Sequence, residues 1–268
     1  DPYQREYKEG RSRWDIIDLI RAAHDLRPNG ISWPVKADTG KPSFKLTDLT
    51  EANGISHDQA HDALSDVRAT LELARLVRRK QPKLFSYYLN LRDKQEVKQR
   101  IRVPFGPPVL YTGAEFTRVQ GCSTIILPIT SGGSHNTNTL FVFDLRNDPS
   151  LLISASQAFG ELEAIRKTED QFRLIAQKAR RALHEKSDLE EALRESIEAL
   201  VEAADLLANL PRVASASERL LKVPGLQRVA INRSPFISPM TVLQENPEIA
   251  ERLALDLEAC EKHRKELL

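Results

Sequence analysis

The chain has 268 residues, a formal charge of +1 and 41% hydrophobic residues, which allows one or two domains with cores of their own. A balance this close to zero excludes a uniformly basic chain, and the lack of any run of about 18 apolar residues excludes a membrane-spanning helix. Cys122 and Cys260, the only two cysteines, lack metal-ligand spacing and favour a reducing, cytoplasmic setting with at most one disulfide.

Charge is nevertheless uneven. Residues 1 to 100 carry 19 Lys and Arg against 15 Asp and Glu, whereas residues 161 to 210 carry 8 against 12. Met240 is the single methionine, so Asp1 is read as an internal position of a longer polypeptide. The opening DPYQREYKEGRSRW interleaves Tyr3, Tyr7 and Trp14 with Arg5, Lys8, Arg11 and Arg13. Aromatic faces stack on unpaired bases and cations meet phosphates, which suits single-stranded nucleic acid; a solvated terminus has the same composition. From Arg13 to Leu26 the positions Ile16, Leu19, Ile20, Ala23 and Leu26 predict one helical stripe ended by Arg27-Pro28-Asn29-Gly30. A Pro- and Gly-rich loop follows to Ser43, then a short helix with Thr47 as N-cap, closed near Gly54. A long helix after Asp66 buries Leu64, Val67, Leu71 and Ala74 and ends at Gln81-Pro82, and another runs from about Lys83 to Arg100.

Val103 to Pro108 reads as a linker. Strand-like runs at 109–112, 123–129 and 139–145, spaced by glycines, predict a small antiparallel barrel or sheet. Residues 158–210 switch to helical periodicity, with Ser187-Asp188 joining two antiparallel helices whose outer faces are acidic. A further strand at 226–231 resumes the β region, so the pair reads as an insertion, and a last helix starts near Pro247.

Chemistry concentrates in SHDQAHDALSD, residues 56 to 66, which holds His57, His61, Asp58, Asp62 and Asp66 where a loop enters a helix. Phosphodiester hydrolysis needs an attacking water, a base for its proton and cations to hold developing charge; carboxylates around Mg²⁺ and a histidine supply these. His61 and Asp66, roughly 140° apart on a helix, meet at one site only if His61 lies on the loop side. His57 reads as a loop or capping residue.

The runs SRWDIIDLIRAAHDLRPNGISWP, PSFKLTDLTEANGISHDQAHDALSDVRATLELARLV and QPKLF resemble the bacterial exodeoxyribonuclease I family, proofreading-type exonucleases with a ribonuclease H-like fold. The likeness continues through PVLYTG, TLFVFDLRNDPSLL, INRSPFISP and LQENPEIAER, and omits the helical hairpin. It implies an α/β plus β chain: residues 1–102 as the C-terminal part of the exonuclease domain, 103–240 as an SH3-like β domain with the hairpin 158–210 inserted, and 241–268 as the start of a C-terminal helical region.

The resemblance further implies a 3′ to 5′ exonuclease on single-stranded DNA that releases mononucleotides in DNA repair and recombination, with two Mg²⁺ ions. His61 matches the general base and Asp66 the last metal carboxylate, with Asp62 supporting and His57 and Asp58 as bystanders. Tyr3, Tyr7, Arg21, Arg27 and Lys45 match positions along the DNA path, and Tyr87 and Lys94 extend it; the β domain helps to enclose the strand. The family's Asp-x-Glu pair and its second-motif carboxylate have no counterpart in residues 1 to 268, so the chain alone is expected to be inactive. An inactive single-strand-binding or protein-interaction module, docking through the acidic hairpin, is the alternative.

Overall fold

The computed structural model describes residues 14–57, 62–131, 138–157, 223–231 and 236–268, with scattered helical positions between 174 and 201. It divides into one unit of residues 1–149 with 224–268 and a second of residues 150–223. In the second unit 150–157 are helical, and most of the 158–210 stretch, including the joint at Ser187-Asp188, lies outside the described residues.

The first unit opens with α1 (Ile16–Leu26), capped by the Asp15 carboxylate, which accepts from Ile17 N at 3.0 Å. Its buried face holds Leu19, Ile20, Ala23 and Leu26 as the periodicity predicts, together with a charged residue, Asp25. α2 (Leu46–Ala52) starts earlier than predicted: Lys45 occupies the N-cap, and Thr47 lies in the first turn bonded to Asp48 instead of capping it. α3 (Ala63–Lys80) is capped by Asp62, whose carboxylate accepts from Ser65 N at 2.9 Å.

The apolar stripe expected to be buried on α3 is not the one that packs. Leu64, Val67 and Leu71 are 56, 55 and 50% exposed, while Ala69, Leu73 and Val77, the i, i+4, i+8 row on the opposite side, are buried. This helix therefore has two apolar faces, and only one is covered among the described residues. The predicted helix from Lys83 to Arg100 is two helices, α4 (Pro82–Asn90) and α5 (Lys94–Arg100). The break falls where Asp93 accepts from Gln95 N at 2.8 Å, a side-chain cap that starts a new helix.

Five antiparallel strands follow: β1 (Val109–Thr112), β2 (Ser123–Ser131), β3 (Thr139–Asp144), β4 (Leu226–Ala230) and β5 (Phe236–Ser238), in the order β4-β3-β2-β1-β5. The register of β2 on β3 slips between Pro128 and Thr130, so a proline without a donor sits at a bulge, as its chemistry requires. β5 was not evident from sequence, since three residues are too few to show alternation. All four residues of β1 are buried, which places apolar cover on both faces of the sheet centre. Trp14, Phe85, Tyr88 and Phe236 make much of that cover: Trp14 meets Phe85 edge-on at 5.3 Å, and Tyr88 lies 4.5 Å from Phe236. The buried Tyr88 hydroxyl pairs with Ser238 Oγ at 2.7 Å.

The expected last helix is divided by a turn at Ala254, φ 49°, giving α7 (Pro247–Arg252) and α8 (Leu257–Leu267), with a short α6 (Thr241–Glu245) before them. Asp25 binds these parts together. Its carboxylate accepts from His24 Nδ1 at 2.6 Å, Cys122 N at 2.7 Å and Ser123 Oγ at 2.6 Å, and its carbonyl accepts from Arg252 Nη2. Gly121 is needed beside it, because a Cβ there would overlap the carboxylate. A second buried pair, Asp144 with Arg146, ties β3 to Thr124 of β2.

Candidate metal and nucleic-acid site

Asp66 stands in the first turn of α3, on the same side as Ala69, Leu73 and Val77. That side faces α2 and the loop after it, which is why Asp66 meets His57: Nε2 lies 2.7 Å from Oδ1, with the imidazole 5% and the carboxylate 43% exposed. The other ring nitrogen, Nδ1, is 3.4 Å from Thr50 Oγ1, and that hydroxyl reaches Leu46 O and Thr47 O at 2.8 and 2.9 Å. His57, set aside on sequence grounds, is thus in contact with the expected metal carboxylate. Its signal was invisible because nine positions separate it from Asp66, a spacing that no helix or strand brings together.

His61 and Asp58 lie outside the described residues, as do Tyr3 and Tyr7. Asp62 serves α3 as its cap. Arg21 pairs with Asp18 at 2.5 Å and its guanidinium lies 5.7 Å over the Phe44 ring; burial raises the Asp18 carboxyl above the usual range, against the pull of Arg21. His24 stands edge-on to both Trp33 and Phe44. Arg27 donates to Leu26 O at 2.7 Å, and Lys45 is exposed at the start of α2. Arg21 and Lys45 therefore flank Phe44 in sequence or in space, a cation and aromatic grouping, while Arg27 lies at the far end of α1.

Tyr87 is separate from this group. The Arg100 guanidinium lies 5.4 Å over its ring, and burial lifts the hydroxyl above its usual range while Arg100 opposes the shift. The two edge a recess of about 390 Å³ lined by Pro107, Pro108, Ile237, Met240 and Gln244. Lys94 starts α5.

A family model described as the exonuclease I SH3-like domain matches residues 92–169 and 178–268. The chain belongs to the exonuclease I family. It is similar to the exodeoxyribonuclease I of Buchnera aphidicola from Schizaphis graminum, 46% identical over 153 residues, covering 57% of this chain and 31% of that one. To the Escherichia coli exodeoxyribonuclease I it is 34% identical over 253 residues, 94% of this chain and 48% of the relative. Among solved structures, E. coli exonuclease I in complex with a dA16 oligonucleotide superposes with a TM-score of 0.70 at 29% identity, over 100% of this chain and 46% of that one. An exonuclease I complex with SSB-Ct gives 0.67 at 29% identity, over 100% and 46%. The chain thus spans less than half the length of these relatives.

The exonuclease I fold with its SH3-like domain accounts for the antiparallel sheet and for the helices packed on it. As to metal, Asp66 offers a hard carboxylate oxygen of the kind Mg²⁺ takes from one or two side chains, with water and phosphate completing its shell. Among the described residues no group of three or more His, Cys, Asp or Glu side chains could hold a metal ion. Asp66 fits as one ligand of a site and does not constitute one. Among the same residues no helix is long and apolar enough to cross a membrane.

Proposed function

We propose that the chain is part of a 3′ to 5′ exonuclease that releases mononucleotides from single-stranded DNA, in DNA repair and recombination in the cytoplasm. The observation that carries this reading is Asp66, a partly exposed carboxylate in the first turn of α3, in a chain that belongs to the exonuclease I family. Bound Mg²⁺, two ions in this reading, would supply charge to the scissile phosphate. Asp66 would be one of the ligands that hold it, and His61 would take the proton of the attacking water. Arg21, Arg27, Lys45, Tyr3 and Tyr7 hold the strand by phosphate contact and stacking.

The domain limits belong to the same reading: a ribonuclease H-like portion to residue 102, the SH3-like portion to 240, with 158–210 inserted, and a helical region from 241. The exposed Leu64, Val67 and Leu71 face supports it, since a helix apolar on two sides packs between two layers. One carboxylate does not hold two Mg²⁺ ions, so residues 1 to 268 alone carry little nuclease activity.

A protein partner is also part of the reading, given the relative solved with SSB-Ct. The recess beside Tyr87 and Arg100 has apolar walls and a cation at its edge, which suits a peptide bearing an apolar side chain next to a carboxylate. The decisive experiment is His61→Ala in the intact protein, followed by Mg²⁺-dependent release of nucleotides from labelled single-stranded DNA. Turnover should fall on the order of 10² to 10⁴-fold with binding in EDTA retained; unchanged turnover would refute the assignment.

A further inference from the structure

We propose that His24 is a base-contacting residue: its imidazole, oriented by Asp25, accepts a hydrogen bond from the exocyclic amino group of a nucleobase stacked on the partly exposed rings of Trp33 and Phe44. The inference rests on the strand-binding reading proposed above, which assigns the neighbouring Arg21 and Lys45 and leaves His24 without a role.

The Asp25 carboxylate is fully buried and, when ionised, only accepts, so the 2.6 Å contact requires His24 Nδ1 to carry the proton. That fixes the tautomer, and in the neutral ring Nε2 is left as an acceptor. Among the described residues Nε2 has no hydrogen-bond partner, and the buried unpaired side-chain atoms there are Trp14 Nε1 and Arg21 Nε. Nε2 therefore opens to solvent, in keeping with a side chain that is 17% exposed. A donor serving Asp25 alone, which also accepts from Cys122 N and Ser123 Oγ, would need one N–H. The imidazole adds a second nitrogen that serves no protein group.

Trp33 and Phe44 stand 5.2 and 5.5 Å from the imidazole, edge-on in both cases, and each is partly exposed. The indole is itself pinned, since its Nε1 donates to Pro28 O at 2.9 Å. Arg21, three residues before His24 on α1, lies over the Phe44 ring, and Lys45 follows Phe44 in the chain. The cations proposed to hold phosphates thus border the same rings. Stacking on aromatic rings tolerates any base, and phosphate contacts carry no sequence information. A fixed acceptor beside such rings does discriminate: cytosine offers an N4 amino donor where thymine has a carbonyl acceptor.

The test measures the affinity of the intact protein for oligodeoxycytidylate and oligothymidylate of equal length, in EDTA to prevent cleavage, with thermal unfolding alongside. An asparagine amide N–H replaces Nδ1–H toward Asp25 and offers nothing at the position of Nε2, whereas a glutamine amide reaches that position. His24→Asn should keep the melting temperature and lower the cytosine-to-thymine affinity ratio about 3 to 10-fold. His24→Gln should keep most of the ratio, whatever it does to melting. A partly unfolded population scales both affinities alike, so folding defects do not move the ratio. An unchanged ratio in His24→Asn overturns the inference and leaves His24 as a donor to Asp25 alone; a glutamine variant that loses the ratio as fully as the asparagine variant overturns it too. Lys45→Ala separates the two readings. If it leaves affinity and salt dependence unchanged for both strands, the strand-binding reading fails and this inference with it; if it weakens both strands alike while His24→Asn leaves the ratio unchanged, only the base contact fails.

Discussion

Replacing Asp25 with Ala removes the buried carboxylate that joins α1 to the start of β2, and leaves in place the backbone carbonyl that accepts from Arg252 of α7. The side chain is completely buried and accepts three hydrogen bonds between 2.6 and 2.7 Å. Truncation leaves the Cys122 N–H without its acceptor in a buried place, and leaves the Ser123 hydroxyl with Thr112 Oγ1 at 2.7 Å. The orphaned N–H costs about 1 to 3 kcal/mol, and each lost hydrogen bond to a carboxylate about 1.5 to 3 kcal/mol. We expect a loss of about 4 kcal/mol, which for a unit of this size lowers the melting temperature by roughly 8 to 16 °C. Asp25→Asn keeps an acceptor oxygen for β2 and should lose only about 1 to 2 kcal/mol. Urea unfolding of both variants measures this, with Glu72→Ala, at the exposed Glu72 and Arg75 pair, as the baseline. A loss below about 1 kcal/mol for Asp25→Ala would show that the carboxylate is not what holds the helix to the sheet.

Two further outcomes follow from the thiols and the basic surface. Cys122 and Cys260 are both free and buried, and burial pushes each thiol up to about 11; at pH 8 neither should react with a thiol reagent until the protein is unfolded, when both should react quickly. Because the folded state holds these protons above the unfolded value of about 8.5, their contribution to stability is full below that pH and is lost as pH rises through 8.5 to 11, so the urea midpoint should fall in that window and a flat profile would contradict it. In the intact protein Lys45→Ala should reduce the slope of log affinity for single-stranded DNA against log salt by about 0.7 without changing the melting temperature. Arg21→Ala should lower both, since Arg21 also pairs with Asp18 and covers Phe44.

Much of the fold is readable from local pattern because its signals are local. Asp15 and Asp62 cap their helices through side chains two or three residues from the N–H groups they serve, and the four longer strands stand out as β-branched runs between glycines. The breaks within the C-terminal helices and after Asn90 were missed, since a cap such as Asp93 inside an apolar period looks like any exposed acidic residue. β5 gained its place from its partner, β1, and not from its own three residues.

For the site, the sequence by itself determined the family, because a family match rests on residue type at fixed spacing; Asp66, Arg21, Arg27 and Lys45 are site positions proposed from that resemblance. Which face of α3 packs was decided only by tertiary structure: Leu64, Val67 and Leu71 and the row Ala69, Leu73 and Val77 have equal claim as apolar stripes, and only the position of α1 and α2 selects between them. The same choice turns Asp66 toward His57, and tertiary packing likewise buries Asp25 of α1 against Cys122 and Ser123, 97 and 98 residues further along the chain. A hydrogen bond depends on distance in space, and periodicity within one helix carries no information about a partner that far along the chain.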